Sequence, residues 1–251
     1  MLDARLIHAV HATRGHGAVF QTSTLEALLH GAYLGDVTVA ELAGRGDLGL
    51  GTFDALDGEL IALDGVVHRA AEDGTTAPAD PARRSPFAVV TRFAPSVEHT
   101  LPRPLAFDAL LALLGSDEPP EICSAVRVDG RFDAVHLRSV PAQRRPYRPL
   151  IEVLRDQRTF TLEDVEGSLV GFRYPDRLEG IGMAAHHLHF ITADRRRGGH
   201  VLSCRARAGV ARIDHEADLH VELPPGVELG ARGHSGAARD ALRRAESDPP
   251  A

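Results

Sequence analysis

The sequence predicts a mixed α/β (α+β) protein built from two sheet-rich halves, with mixed or antiparallel sheets and a few short helices. Three observations carry this reading. Short runs rich in Val, Ile, Leu and Phe alternate with Asp-Gly pairs, the pattern of tight hairpins. Helical spacing is confined to brief stretches. A break at Ser116-Asp117-Glu118-Pro119-Pro120 separates residues 1–118 from residues 119–251. A chain of 251 residues is long enough to bury a sizeable core in either one or two units.

In chain order, Thr22-Ser23-Thr24 offers hydroxyl caps for a helix starting at Leu25-Glu26-Ala27-Leu28-Leu29. A second short helix is expected over residues 38–43, closed by Gly44. The runs 48–53, 59–63 and 66–67, joined by Asp57-Gly58 and Asp64-Gly65, form an antiparallel meander. A loose Pro- and Ala-rich loop over 77–84 leads to a strand within 85–93, and residues 105–114 have helical spacing. In the second half, strands 121–128 and 131–138 are expected to turn at Asp129-Gly130. A crossing with Pro141, Pro146 and Pro149 and a short helix near 149–156 follow. Strands 159–165 and 168–173 are then expected to turn at Glu166-Gly167, and a modest helix over 235–246 ends the chain.

Between those last features lie Ala185-His186-His187-Leu188-His189-Phe190-Ile191-Thr192 and Gly199-His200-Val201-Leu202, separated by Asp194-Arg195-Arg196-Arg197-Gly198. Both flanks read as strands and the polar stretch as a hairpin loop. Side chains alternate along a strand, so His187 and His189 share a face. A hairpin centred between Asp194 and Arg195 sets His200 opposite His189 on that same face. Three imidazoles would then converge with open positions left over, which suits a catalytic metal site. His186 falls on the other face. His8, His11 and His16 have ligand-like spacing but lie in a polar stretch with no element to fix them. Cys204 shares the strand face of His200, and could either approach the metal or serve as a small buried hydrophobe.

Composition narrows the classes. Hydrophobic residues make up 43% and charged residues 25%, with a formal net charge of -7. No basic run exceeds Arg195-Arg196-Arg197, which argues against nucleic acid as a partner. No apolar stretch approaches the roughly 20 residues that span a bilayer. Two widely separated cysteines give no disulfide framework, so a reduced cytoplasmic setting is expected. All 28 basic residues are arginine, which removes Schiff-base catalysis and a Walker-type phosphate lysine together. Carbanion chemistry here would need an electron sink other than an imine, and a metal is the obvious one.

From about residue 20 to residue 246 the chain resembles the acetolactate decarboxylase family. The resemblance rests on Phe20-Gln21-Thr22-Ser23-Thr24-Leu25-Glu26-Ala27-Leu28-Leu29-His30-Gly31, on Gly51-Thr52-Phe53-Asp54-Ala55-Leu56-Asp57-Gly58-Glu59-Leu60-Ile61-Ala62-Leu63-Asp64-Gly65, on Asp129-Gly130-Arg131-Phe132 through Arg138-Ser139-Val140-Pro141, on Val165-Glu166-Gly167-Ser168-Leu169-Val170-Gly171-Phe172, and on the histidine hairpin. It implies a zinc enzyme that converts 2-hydroxy-2-methyl-3-oxobutanoate to acetoin and carbon dioxide through an enediolate. It places the metal ligands at His187, His189 and His200, catalytic residues at Glu59, Arg138 and Glu246, and a pocket threonine at Thr52. It also carries the expectation of a homodimer acting on acetolactate, with no membrane partner. The chain departs from the family at Ala184-Ala185-His186, where Pro-Gly-aromatic is usual, at Ser203, where Asp is typical, and in a shorter, Arg-rich tail around Glu246.

The implied roles are chemically sound. A divalent metal could chelate the ketone and hydroxyl oxygens and take up the charge that grows as carbon dioxide leaves. Arg138 could hold a carboxylate through its planar fork, or be an ordinary surface arginine, one of four between residues 138 and 148. Glu59 could protonate the carbanion carbon from a partly buried position, or be a solvated turn carboxylate. Two other classes compete. A cupin-type oxygenase or isomerase shares the His-x-His pair but expects a nearby glutamate ligand and a more distant third histidine. A regulatory module of the plant- and prokaryote-conserved type would need only the second half, and would leave Glu59 and Arg138 unexplained.

Overall fold

The structure is a computed structural model and describes residues 18–101, 103–116 and 123–225. Its first sheet has seven strands in the order β15-β1-β8-β3-β4-β5-β6. These are β1 (Ala18–Thr22), β3 (Leu48–Thr52), β4 (Glu59–Leu63), β5 (Val66–Ala70), β6 (Thr76–Pro78), β8 (Phe87–Thr91) and β15 (Asp218–Glu222). The expected meander is β3-β4-β5, all antiparallel, whereas β15 lies parallel to β1 and makes the sheet mixed. The loop expected over 77–84 is partly ordered, with β6 on the sheet edge. Arg84 and Ser85 (β7) pair with Val37 and Thr38 (β2).

The short helices follow their caps. Thr24 accepts from the Ala27 amide to start α1 (Leu25–Leu29), which buries Leu25, Leu28 and Leu29. Thr38 and Glu41 form a reciprocal capping box on α2 (Val39–Arg45). That helix runs through Gly44 and is closed by Gly46 instead, because an exposed glycine costs only about 1 kcal/mol within a helix.

The second sheet joins β9 (Val97–Thr100), β10 (Leu105–Ala106), β11 (Cys123–Ser139), β12 (Arg158–Tyr174), β13 (Ala185–Thr192) and β14 (Gly198–Glu216). The helix α3 (Phe107–Leu114) packs Leu110 and Leu114 into its core, and α4 (Leu150–Val153) lies in the Pro-rich crossing. β13 pairs with β12 on one edge and β14 on the other, so β11 to β14 close into a ring.

Two expected hairpins are not there. Asp129-Gly130 lies in the middle of the 17-residue strand β11, and Glu166-Gly167 in the middle of the 17-residue strand β12. Gly130 stands opposite Gly167 on one side and Gly209 on the other. A Cβ on Gly130 would lie 2.2 Å from the Ala208 carbonyl oxygen and 2.9 Å from the Gly209 Cα. These glycines let three backbones approach, and β-bulges just beyond, between Arg131 and Ala134, redirect the long strands.

One apolar cluster lies between the two sheets, drawing Leu50, Ile61 and Val89 from the first and Ala125, Val170, Phe172 and Ile191 from the second. The boundary expected between residues 118 and 119 lies outside the described residues, as does the tail helix expected over 235–246. At the seam between the sheets Glu216, 2% exposed, meets the Thr91 hydroxyl. Burial, reinforced by Asp214 and Asp218, outweighs that hydrogen bond and pushes its carboxyl up to about 7.

Candidate metal centre and active site

The histidine hairpin forms in the expected register, with His189 directly opposite His200. On the far side of β14, His200 stands opposite Arg138 of β11. His189, His200 and Arg138 therefore form one row across three adjacent strands, with His187 two residues along from His189. His189 and His200 are buried and His187 is half-buried.

One nitrogen from each of His187, His189 and His200 can be chosen so that all lie within 4.8 Å of one another. The Nε2 of His187 and the Nδ1 of His200 are 3.1 Å apart. That separation is close to the edge, about 3.3 Å, of a tetrahedron with Zn–N bonds of about 2.0–2.1 Å. The protonation states suit a cation as well. His189 Nδ1 lies 2.8 Å from the Leu60 carbonyl, which can only accept, so Nδ1 carries the proton and Nε2 presents its lone pair. Burial, and then the charge of Arg138, hold His200 well below the usual imidazole range, so its ring is neutral. This three-histidine group could hold a metal ion.

The first sheet supplies the rest. Glu59 opens β4 directly opposite Thr52 of β3, and both share the face of Leu50 and Ile61 that packs against the second sheet. The Glu59 carboxylate is 7% exposed, not a solvated turn group. Its Oε2 is 3.6 Å from His189 Nε2 and its Oε1 is 3.7 Å from Arg138 Nη1. Arg138 is 6% exposed, which sets it apart from the surface arginines of its neighbourhood. Thr52 donates its hydroxyl to the Gly58 carbonyl at 2.9 Å, bracing the turn that leads into Glu59. The structure thus brings together Glu59, Arg138, His187, His189 and His200, with Thr52 paired opposite Glu59, while Glu246 lies outside the described residues, as do His8, His11 and His16.

Cys204 does not share the face of His200. Leu137 pairs with Val201 and His136 with Ser203, so Leu202 is an extra residue in β14 that reverses the alternation. Cys204 packs with Val135, Leu137 and Val201 instead, and burial pushes its thiol up to about 12. Sequence reasoning missed the Leu60 carbonyl, which fixes the His189 tautomer; a backbone group has no residue signature, and its only signal was adjacency to Glu59.

Fold and site together define a mixed-sheet protein with a largely buried three-histidine group facing a glutamate and an arginine. Residues 19–230 match the family model described as alpha-acetolactate decarboxylase. The alpha-acetolactate decarboxylase of Methylococcus capsulatus is 43% identical over 233 residues, 91% of this chain and 88% of that protein. That of Klebsiella aerogenes is 42% identical, covering 82% of this chain and 80% of the relative. The crystal structure of the Bacillus subtilis strain 168 enzyme superposes with a TM-score of 0.87 at 33% identity, covering 92% of this chain and all of that one. The chain belongs to the alpha-acetolactate decarboxylase family.

Proposed function

We propose that the protein decarboxylates (S)-2-hydroxy-2-methyl-3-oxobutanoate, acetolactate, to (R)-acetoin and carbon dioxide, with zinc held by His187, His189 and His200. The observation that carries this reading is the placement of a buried carboxylate, Glu59, 3.6 Å from His189 and 3.7 Å from Arg138. When bound, the metal would supply Lewis acidity towards the ketone and hydroxyl oxygens of the substrate.

The roles of the side chains follow from their chemistry. Arg138 binds the substrate carboxylate through the planar fork of its guanidinium. Loss of carbon dioxide leaves an electron pair at C2, delocalised into the C3 ketone. Glu59 holds the proton that C2 then receives and delivers it from one side, giving a single enantiomer. Thr52 lines the pocket beside Glu59, and its hydroxyl oxygen retains the capacity to accept a hydrogen bond from the substrate hydroxyl. Among the described residues no helix is long and apolar enough to cross a membrane. A homodimer in the cytoplasm belongs to the same proposal.

The direct test is to incubate the purified protein with racemic acetolactate and follow acetoin before chelation, after chelation and after zinc is restored. Activity that disappears with the metal and returns with it is the expected result. Full turnover by metal-free protein, or no acetoin from the zinc-loaded protein, would overturn the reading.

A further inference from the structure

The turn that delivers Glu59 is held in a costly conformation. Ala55 and Leu56 lie in the left-handed region, with φ of 60° and 56°, and Gly58 follows at 93°. Such backbone costs on the order of 1–2 kcal/mol per non-glycine residue and persists only where its surroundings over-determine it. A Cβ on Gly58 would sit 2.4 Å from the Ala70 carbonyl oxygen, so the turn is also pressed against β5.

Asp57 is what grips this turn. One carboxylate oxygen takes a hydrogen bond from Arg69 Nη2 and the other from Arg83 Nη2 at 2.6 Å. Arg69 Nε also donates to the Asp57 backbone carbonyl at 2.8 Å. Arg69 belongs to β5, where it stands opposite Leu60, the residue after Glu59. Arg83 is fixed in turn by lying 4.8 Å over the ring of the fully buried Phe53. Burial alone would raise the Asp57 carboxyl, but its hydrogen bonds to Arg83 and Arg69 outweigh that and hold it below the usual carboxylate range.

We infer that Asp57 is a positioning residue for the reaction: its grip on Arg69 and Arg83 sets the strained turn that aims the Glu59 carboxylate at the space beside His189 and Arg138. Asp57 touches neither the histidines nor the substrate, and acts only through Glu59. The inference rests on Glu59 being the proton donor. A donor displaced by about 1 Å loses a large part of its advantage, up to about 100-fold in rate.

The test uses the zinc-loaded, full-length protein and four variants: Asp57→Asn, Asp57→Ala, Arg83→Met and Glu59→Gln. For the first three, kcat per bound zinc should fall by about tenfold or more, with KM within about twofold, because Arg138 and the metal still hold the substrate. Acetoin should also become less enantiomerically pure, as water competes to protonate C2. A residue that merely stabilised the fold would lower the melting temperature or the yield of zinc-loaded protein and leave both readouts unchanged. Arg83→Met removes one arm of the grip and serves where Asp57→Ala does not fold. Wild-type kcat per zinc and wild-type enantiomeric purity in Asp57→Asn and Arg83→Met, beside a crippled Glu59→Gln, would overturn the inference alone. A rise in KM with kcat unchanged would overturn it too. Normal turnover by Glu59→Gln would overturn the proton-donor reading, and the inference with it.

Discussion

The two sheets build their shares of the site in different ways. The first contributes Glu59 and Thr52 from five-residue strands joined through residues 53–58, and the turn before Glu59 is strained and locked by charge. The second contributes His187, His189, His200 and Arg138 from long paired strands, where cross-strand register alone aligns them. The difference matches the work proposed for each. A metal cradle needs several ligands at fixed spacing, which the register of paired strands supplies. A proton donor needs one group aimed at one atom, which a tight turn can do.

The sharpest way to break this division is His189→Ala. Two remaining imidazoles make a poor site, so bound zinc and acetoin formation should both be lost, as metal analysis and assay of the same sample would show. Full metal occupancy in that variant would end the account of the second sheet. Next comes Glu59→Gln, which should keep its zinc and still bind substrate while product formation falls by about 100-fold or more. The limb of the pH–rate profile that reports this carboxyl group should vanish as well. An unchanged rate and enantiomer ratio would move the proton donor to Glu246.

Stability separates the sheets again. Gly130→Ala drives a Cβ into backbone of the neighbouring strand and should cost about 3 kcal/mol by denaturant unfolding. Gly65→Ala, in a first-sheet turn at φ 78° with open space around it, should cost only about 1 kcal/mol. Equal costs would mean that the long strands do not depend on their close approach.

At the seam, Glu216 gives a pH signature. Its carboxyl is raised to about 7 when folded, so the unfolded chain sheds this proton first as pH rises. Its stabilising share is present below about pH 4.5 and is lost as pH climbs through about 7. Glu216→Gln should therefore be more stable than the parent at pH 8, by about 1–3 kcal/mol, with the gap closing towards pH 5. A gap independent of pH would assign the effect to packing.

The smallest effect is expected at Ala185, which enters β13 at φ 70°. Ala185→Gly should relieve strain and, after the entropy cost of glycine, stabilise by about 0.5–1 kcal/mol. A loss of stability would show that the alanine methyl group packs usefully there.

These particulars also show how much could be read from the sequence. The antiparallel meander, the hydroxyl cap of α1 and the histidine hairpin were legible because each depends on neighbours within about a dozen residues. Asp129-Gly130 misled because glycine serves two ends. At Gly65 it allows a positive φ, while at Gly130 it removes a side chain so that another backbone can come close, and only tertiary contacts distinguish the two. The bulge at Leu202 that turns Cys204 away was hidden for a similar reason, since a one-residue slip leaves no compositional trace. The row of His189, His200 and Arg138 was half visible. The hairpin pairing is local, but Arg138 joins it from about 50 residues before His189 through β-pairing that no local pattern announces.

The return of β15 to the edge of the first sheet has a consequence for how the chain matures. Residues 218–222 lie alongside residues 18–22, so among the described residues the strand that completes the acid-bearing sheet is the last to be synthesised. A nascent chain of about 200 residues would hold every strand residue proposed for catalysis, yet would still present β1 as an open edge. Chain order therefore completes the acid-bearing sheet only after every strand of the histidine-bearing sheet has been made.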